Sequence, residues 1–219
     1  MIHEEAAAVC KLYEDGDIHE LKTDRYNVVR DSDGKFHNED GPAISVYGPS
    51  GKKRLEVFYE HGKLHRVSGS ALVSYYDHDS DVIVKTEQWF KDGELHCDTG
   101  PALTTYYENE MVREERWYEN GKLHRLSGPA VTYYYENGTK EGERWYENGK
   151  IHRLSDPALT SYYENGTTKD ERWAEHGKWH RSFGLCPALT SYHETGTVKG
   201  EIWYENGVLH HLSGPAFTV

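Results

Sequence analysis

The run Trp117-Tyr118-Glu119-Asn120-Gly121-Lys122-Leu123-His124-Arg125-Leu126-Ser127-Gly128-Pro129-Ala130 decides the fold, because most of it recurs along the chain. Its first nine residues return as Trp145 to Arg153, Trp173 to Arg181 and Trp203 to His211, and appear earlier as Phe58 to Arg66 and Trp89 to Cys97. Gly34-Lys35-Phe36-His37 is a partial copy, and Leu12-Tyr13-Glu14-Asp15-Gly16-Asp17-Ile18-His19 a decayed one. The recurring histidines 37, 65, 96, 124, 152, 180 and 210 are separated by 28, 31, 28, 28, 28 and 30 residues. Such a period marks an array of short units, each too small to bury its apolar face alone.

The irregular steps locate the rigid part of the unit. From each aromatic (58, 89, 117, 145, 173, 203) to its histidine the distance is always seven. The longer steps come from three extra residues between Leu72 and Gln88, and two between His180 and Pro187. Insertions survive in loops and are rejected where register fixes packing. Asn-Gly at 120–121, 148–149 and 206–207 is the preferred centre of a two-residue type I′ hairpin turn, and the other copies keep the glycine. Folding there sets Glu119 opposite Lys122, Tyr118 opposite Leu123 and Trp117 opposite His124. Alternation puts Tyr118 and Leu123 on one face and the other four residues on the opposite one.

After the histidine comes Leu126-Ser127-Gly128-Pro129-Ala130, echoed at 39–43, 98–102 and 212–216. Gly-Pro does not fit inside a regular central ladder and marks a bend or bulge. A β-prone stretch such as Leu159 to Thr167 follows and ends in a second turn. Each repeat therefore reads as a short strand, a tight turn and a longer bent strand. No window carries apolar residues at helical spacing for three turns. The expected fold is all-β, an elongated single-layer antiparallel β-hairpin array. Residues 1–29 form a degenerate N-terminal repeat or cap, and 30–219 form about seven tandem 28-residue repeats. At about 10 Å per two-strand repeat, the strip would be about 70 Å long.

Composition agrees with a thin fold. The 219 residues are 36% hydrophobic even with 17 Tyr counted, against roughly 45–50% in ordinary domains. Six Trp and 17 Tyr are too many for a disordered chain. The net charge of −12, with basic residues scattered among acids, argues against nucleic-acid binding. Fourteen histidines would carry that charge from −12 to about +2 if all were protonated (−12 + 14). Cys10, Cys97 and Cys186 form neither a disulfide framework nor a metal knuckle, which suits a reducing compartment. Met1 to Tyr13 has acids before a short apolar stretch, unlike a signal peptide, and a cytoplasmic protein is expected.

The aromatic-x-x-Asn-Gly-Lys-x-His core followed by Gly resembles the MORN repeat, whose hairpins line up in one elongated twisted antiparallel sheet. The variant His-Arg-x-x-Gly-Pro-Ala, as at 124–130, is similar to tandem-repeat proteins abundant in large DNA viruses of amoebae and in some phages. The resemblance covers about residues 30–219. Here the hairpin is one residue longer than in the standard MORN pattern, and His-Arg replaces His-Gly. The resemblance implies a virion or capsid-associated component of a giant virus, made in the host cytosol and packaged in the particle.

The candidate repeat-core pairs are Phe58 with His65, Trp89 with His96, Trp117 with His124, Trp145 with His152, Trp173 with His180 and Trp203 with His210. Each histidine is expected to pack on its aromatic and hydrogen-bond to backbone. Equivalent positions about 10 Å apart cannot share a zinc ion, whose ligand nitrogens lie within about 4.2 Å of one another. His61 with His65 and His176 with His180 bracket tight turns and lack further ligands. No metal or cofactor is expected. No nucleophile elbow, HExxH, Walker loop or dinucleotide fingerprint is present, so the chain reads as non-enzymatic, with no small-molecule substrate. The sequons at Asn137 and Asn165 are accounted for by their Asn-Gly turns. The Tyr-Tyr pairs at 106–107, 134–135 and 162–163 are expected between neighbouring strands. Pro215, Ala216, Phe217, Thr218 and Val219 form a candidate docking edge, since an open sheet edge is a template for another chain or another copy. The expected function is structural, through protein–protein interaction. The alternatives are a soluble immunity or antitoxin-like module for a basic partner, or a membrane-surface scaffold, which the charge disfavours. The histidine series raises the further expectation of pH sensing.

Overall fold

The computed structural model describes residues 25–76, 82–181, 186–211 and 214–218, and every regular element within them is a β-strand. The expected cap at Leu12 to His19, and Val219, lie outside the described residues. Fourteen strands form one open antiparallel sheet from Arg25–Val28 to Phe217–Thr218, and their order in the sheet is their order in the chain. Six separate two-stranded hairpins accompany it. The all-β repeat array is therefore the fold.

The repeat departs from the expected strand–turn–bent strand in one respect: it folds as two hairpins of different kinds. In the wide kind, Val131–Tyr134 pairs with Lys140–Arg144, which pairs on its other side with Leu159–Tyr162 of the next repeat. In the small kind, Tyr146–Glu147 pairs with Lys150–Ile151 and joins no other strand. Trp145 is the joint. Its N–H donates to Ala158 O at 2.8 Å, closing the main ladder, while its own carbonyl accepts from His152 N–H at 3.0 Å, starting the small hairpin. The segment from aromatic to histidine thus leaves the sheet and returns, which is why its length never varies.

Within each small hairpin the register is the one the turn chemistry dictates: Tyr118 faces Leu123 and Glu119 faces Lys122. Asn120 and Gly121 hold φ of 49° and 72°, the left-handed pair that a type I′ turn requires. His61 and His176 adopt the same conformation without being Asn or Gly (φ 46° and 49°). Gly-Pro sits in the bend between the small hairpin and the next wide one. The register shift comes later in the wide hairpin, between Tyr133 and Tyr134 and between Ser161 and Tyr162.

The apolar face of the small hairpins roofs the sheet. Tyr59, Leu64 and Phe90 pack against a buried cluster of Ile44, Val46, Leu55, Val57 and Leu72. That aliphatic cluster belongs to the early repeats. Where Val57 faces Leu72, the later sheet pairs Arg116 with Val131, Arg144 with Leu159 and Arg172 with Leu189. Arg116 Nε donates to Glu114 at 2.5 Å, and the Arg144 guanidinium lies 4.8 Å from the centre of the Tyr133 ring. The alanine that closes the bend is a recurring packing point: Ala43, Ala102 and Ala130 after Gly-Pro, Ala71 after Gly69-Ser70 and Ala158 after Asp156-Pro157 have no exposed surface. A thin core of this kind leaves much of the cohesion to polar and aromatic contacts between repeats.

Candidate functional site

Three rows of side chains run along the array, each linking a repeat to itself or to its neighbour. The first is the histidine row. Nδ1 of His37, His65, His96, His124, His152 and His180 accepts the backbone N–H of the first turn residue in the next small hairpin, at 3.1–3.4 Å. Beside each of these bonds runs another, from the turn glycine to the carbonyl preceding the histidine, as from Gly149 N–H to Leu123 O at 2.8 Å. In His37, His65, His96, His124 and His152 the other ring nitrogen faces a carboxylate. His65, His124 and His152 Nε2 lie 3.5 Å from Glu60, Glu119 and Glu147, and His96 Nε2 lies 2.8 Å from Asp98. A neutral ring with its proton on Nε2 satisfies both neighbours at once. The hydrogen bond from His96 holds the Asp98 carboxyl below its usual range, and the one from His61 does the same for Asp31.

The histidines at the turns behave differently from the sequence grouping. His61 stacks on His37 of the preceding repeat (centroids 4.2 Å apart), and His176 stacks on His152 (4.4 Å). The close ring pairs therefore span two repeats. Among the described residues, no group of three His, Cys, Asp or Glu is arranged to hold a metal ion.

In the second row, an arginine that the sequence reading did not single out covers the repeat aromatic. The guanidinium of Arg66 lies 3.8 Å from the centre of Phe58, that of Arg125 3.8 Å from Trp117, that of Arg153 3.9 Å from Trp145 and that of Arg181 4.1 Å from Trp173. The same guanidiniums donate to a carbonyl in the bend: Arg125 to Pro129, Arg153 to Pro157 and Arg181 to Pro187, each at 3.3 Å. At Trp203 the place of the arginine is taken by His211, edge-on at 4.6 Å. The available signal was the constant spacing of eight from aromatic to arginine.

The third row is tyrosine. The first Tyr of each pair reaches back: Tyr75, Tyr106, Tyr134 and Tyr162 donate to Glu56, Glu87, Glu115 and Glu143, each 19 residues earlier, and Tyr192 to Glu171 at 21. The second reaches forward, Tyr76, Tyr107, Tyr135 and Tyr163 donating to the carbonyls of Tyr106, Tyr134, Tyr162 and Tyr192. Burial first, and the Glu87 carboxylate second, push the Tyr106 hydroxyl up to about 12. Tyr134 is likewise raised to about 12 by burial and then by Glu115. These shifts recur with the repeat and reflect packing. The separation of 19 between Glu and Tyr, shared by four of these five pairs, is visible in the sequence.

No described protein family and no curated protein matches this chain. The geometry therefore stands on its own.

What remains exposed is distinctive. Val67, Leu126 and Leu154 occupy the same repeat position, directly after the stacked arginine, and are 90%, 83% and 67% exposed. Asp98 holds that position in the repeat between the first two. A groove of about 560 Å³ opens between the first two bends, lined by His37, Glu39, Phe58, Glu60, His65 and Arg66. At the expected docking edge, Phe217 faces Ile202 and Thr218 faces Glu201, Ala216 O accepts Trp203 N–H at 3.0 Å, and Pro215 is exposed. Phe217 is 56% exposed, and among the described residues no strand lies on the outer side of Phe217–Thr218. Among the described residues, no helix is long and apolar enough to cross a membrane.

Proposed function

We propose that this chain is a non-enzymatic interaction strip that braces or bridges other proteins, with a virus particle as its setting. The observation that carries the reading is how the repeated polar side chains are employed. The His, Arg and Tyr rows are all engaged in bonds within and between repeats, as a device for building a regular array requires. Catalysis needs one distinctive site, whereas this array offers the same arrangement many times. The contact chemistry this reading assigns to a partner is the row Val67, Leu126 and Leu154, together with the outer side of Phe217–Thr218, where no strand lies among the described residues. Solvent-exposed apolar side chains at the same position of several repeats suit a protein surface that meets the strip along its length. The particle setting rests on the resemblance of the His-Arg-x-x-Gly-Pro-Ala pattern to viral tandem-repeat proteins.

The test is cross-linking and mass spectrometry of the full chain with its source proteins and purified particles, run beside the triple variant Val67→Ser, Leu126→Ser, Leu154→Ser. A partner cross-linked to the wild type and lost by the folded variant supports the reading. A partner held equally by both removes the apolar row from it, and absence from particles removes the virion setting.

A further inference from the structure

The histidine row has a property that the interaction reading does not use. Each junction between neighbouring small hairpins carries one backbone N–H that donates to a carbonyl, which cannot titrate, and one that donates to a histidine Nδ1, which can. At the His124 and His152 junctions a further N–H donates to a carbonyl, Arg125 to Tyr146 at 3.4 Å and Arg153 to Ala174 at 3.1 Å. We infer that the histidine row is a proton-operated latch: acid removes the Nδ1 acceptors and releases the small hairpins from one another while the main sheet persists.

The geometry specifies the sign. At His124, Nδ1 accepts from Asn148 N–H at 3.1 Å, and at His152 it accepts from His176 N–H at 3.1 Å. A protonated Nδ1 carries its own hydrogen toward that N–H, so two donors face each other and the bond is lost. Turning the ring over does not help, because both nitrogens of the imidazolium are donors. The rings are sheltered, with 13% of the His124 side chain and 11% of the His152 side chain exposed, so water replaces the lost partner only if the hairpin moves away.

Carboxylates lie beside the rings. Nε2 of His124 faces Glu119, and Nε2 of His152 faces Glu147, both at 3.5 Å from the same small hairpin. From the following hairpin, Asn148 presents its N–H to His124, while His152 meets both the N–H and the stacked ring of His176. His37 has Glu39 at 3.8 Å and the ring of His61, itself held by Asp31 at 3.0 Å. His65 has Glu60 at 3.5 Å, and Asp92 of the following hairpin lies 3.9 Å from Lys63. His96 has Asp98 at 2.8 Å, with Lys91 3.7 Å from that carboxylate. The stacked pairs His37–His61 and His152–His176 add repulsion once both rings are charged, at the same junctions that lose the acceptor. Opening uncovers the apolar undersides of the hairpins, Tyr59 and Leu64 among them, so the acid form presents surface that the neutral form covers.

The experiment is nitrogen-15 NMR of the full chain between pH 7.5 and pH 5. It reads the ring nitrogens of His124 and His152 and the hydrogen-exchange protection of chosen amides. At pH 7.5 both rings should show an unprotonated Nδ1. At pH 5 they should be protonated, and protection at Asn148 and His176 should fall at least tenfold, corrected for the intrinsic rate. The amides of Trp117 and Trp145, which donate to Ala130 and Ala158 in the main sheet, should keep theirs. In the double variant His124→Asn, His152→Asn, Oδ1 supplies an acceptor in place of Nδ1 that does not titrate, and protection at Asn148 and His176 should persist at pH 5. Rings that stay neutral at pH 5, or become protonated without loss of protection, overturn the latch. So does loss of protection throughout the sheet over the same range, because the acid response then belongs to the whole fold. Should the variant not fold, the wild-type measurements decide alone.

Discussion

Replacing Arg125 by Ala tests the idea that stacked arginines carry cohesion which the thin core does not supply. Two contacts disappear. The guanidinium lies 3.8 Å from the centre of the half-buried Trp117 ring, an arrangement that contributes about 1 kcal/mol. It also donates to Pro129 O at 3.3 Å, a long bond that adds about 1 kcal/mol more. The expected loss is therefore about 2 kcal/mol, measured by urea denaturation followed by far-ultraviolet circular dichroism and fitted as a nearest-neighbour array. A double-mutant cycle with Trp117→Leu separates the stack from the hydrogen bond, and a coupling of about 1 kcal/mol is expected. Arg125→Lys keeps the charge but not the planar fork and should recover less than half of the loss. The chain contains its own inverse experiment: Cys97 stands where the arginine would cover Trp89, and Cys97→Arg should gain about 1 kcal/mol. A loss below about 0.5 kcal/mol for Arg125→Ala, or no coupling to Trp117, would refute the reasoning.

Three further perturbations address the other rows. Ala130 has no exposed surface, so Ala130→Leu should overpack the bend and cost about 1–3 kcal/mol in the same denaturation assay, whereas Leu126→Ser on the exposed side should change little. Asn148 holds φ of 50°, and Asn148→Ala keeps the N–H that bonds His124 but not the tolerance for that conformation, so a loss of about 1 kcal/mol is expected with the His124 contact intact by NMR. Tyr106 and Tyr134, raised to about 12, hold their protons more tightly folded than unfolded. Their contribution to stability is complete below pH 10 and is lost as pH rises toward 12. Tyrosinate absorbance and circular dichroism should accordingly change together on alkaline titration, and Tyr106→Phe with Tyr134→Phe should weaken the dependence of stability on pH in that window.

Much of the local architecture was legible in the sequence. Asn120-Gly121 specifies a type I′ turn, and from that turn the pairs Tyr118 with Leu123 and Glu119 with Lys122 follow by counting. The constant step of seven from Trp to His marked the rigid unit, and the 28-residue step implied a sheet built by repetition. Less accessible was the division of each repeat into two hairpins, because the break at Trp145 comes from its N–H and C=O bonding in different directions, and residue type does not report this. The candidate pairs of aromatic and histidine are neighbours in the backbone, as counting suggests, with His124 N–H on Trp117 O at 3.1 Å. The ring of His124 also serves the turn of the next repeat, and Arg125 covers Trp117.

By itself, then, the sequence determined everything that depends on the chain a few residues at a time: the turn type, the strand register and the existence of an array. Local dihedral preferences and alternation act within a hairpin and do not depend on its neighbours. Only the tertiary structure decided which repeat each side chain serves, placing His124 Nδ1 under Asn148 N–H and Tyr135 OH on Tyr162 O. Those partners lie 24 and 27 residues apart, and what joins them is the displacement between one unit and the next. That displacement is set by packing across the sheet, and a period counted in residues carries no record of it.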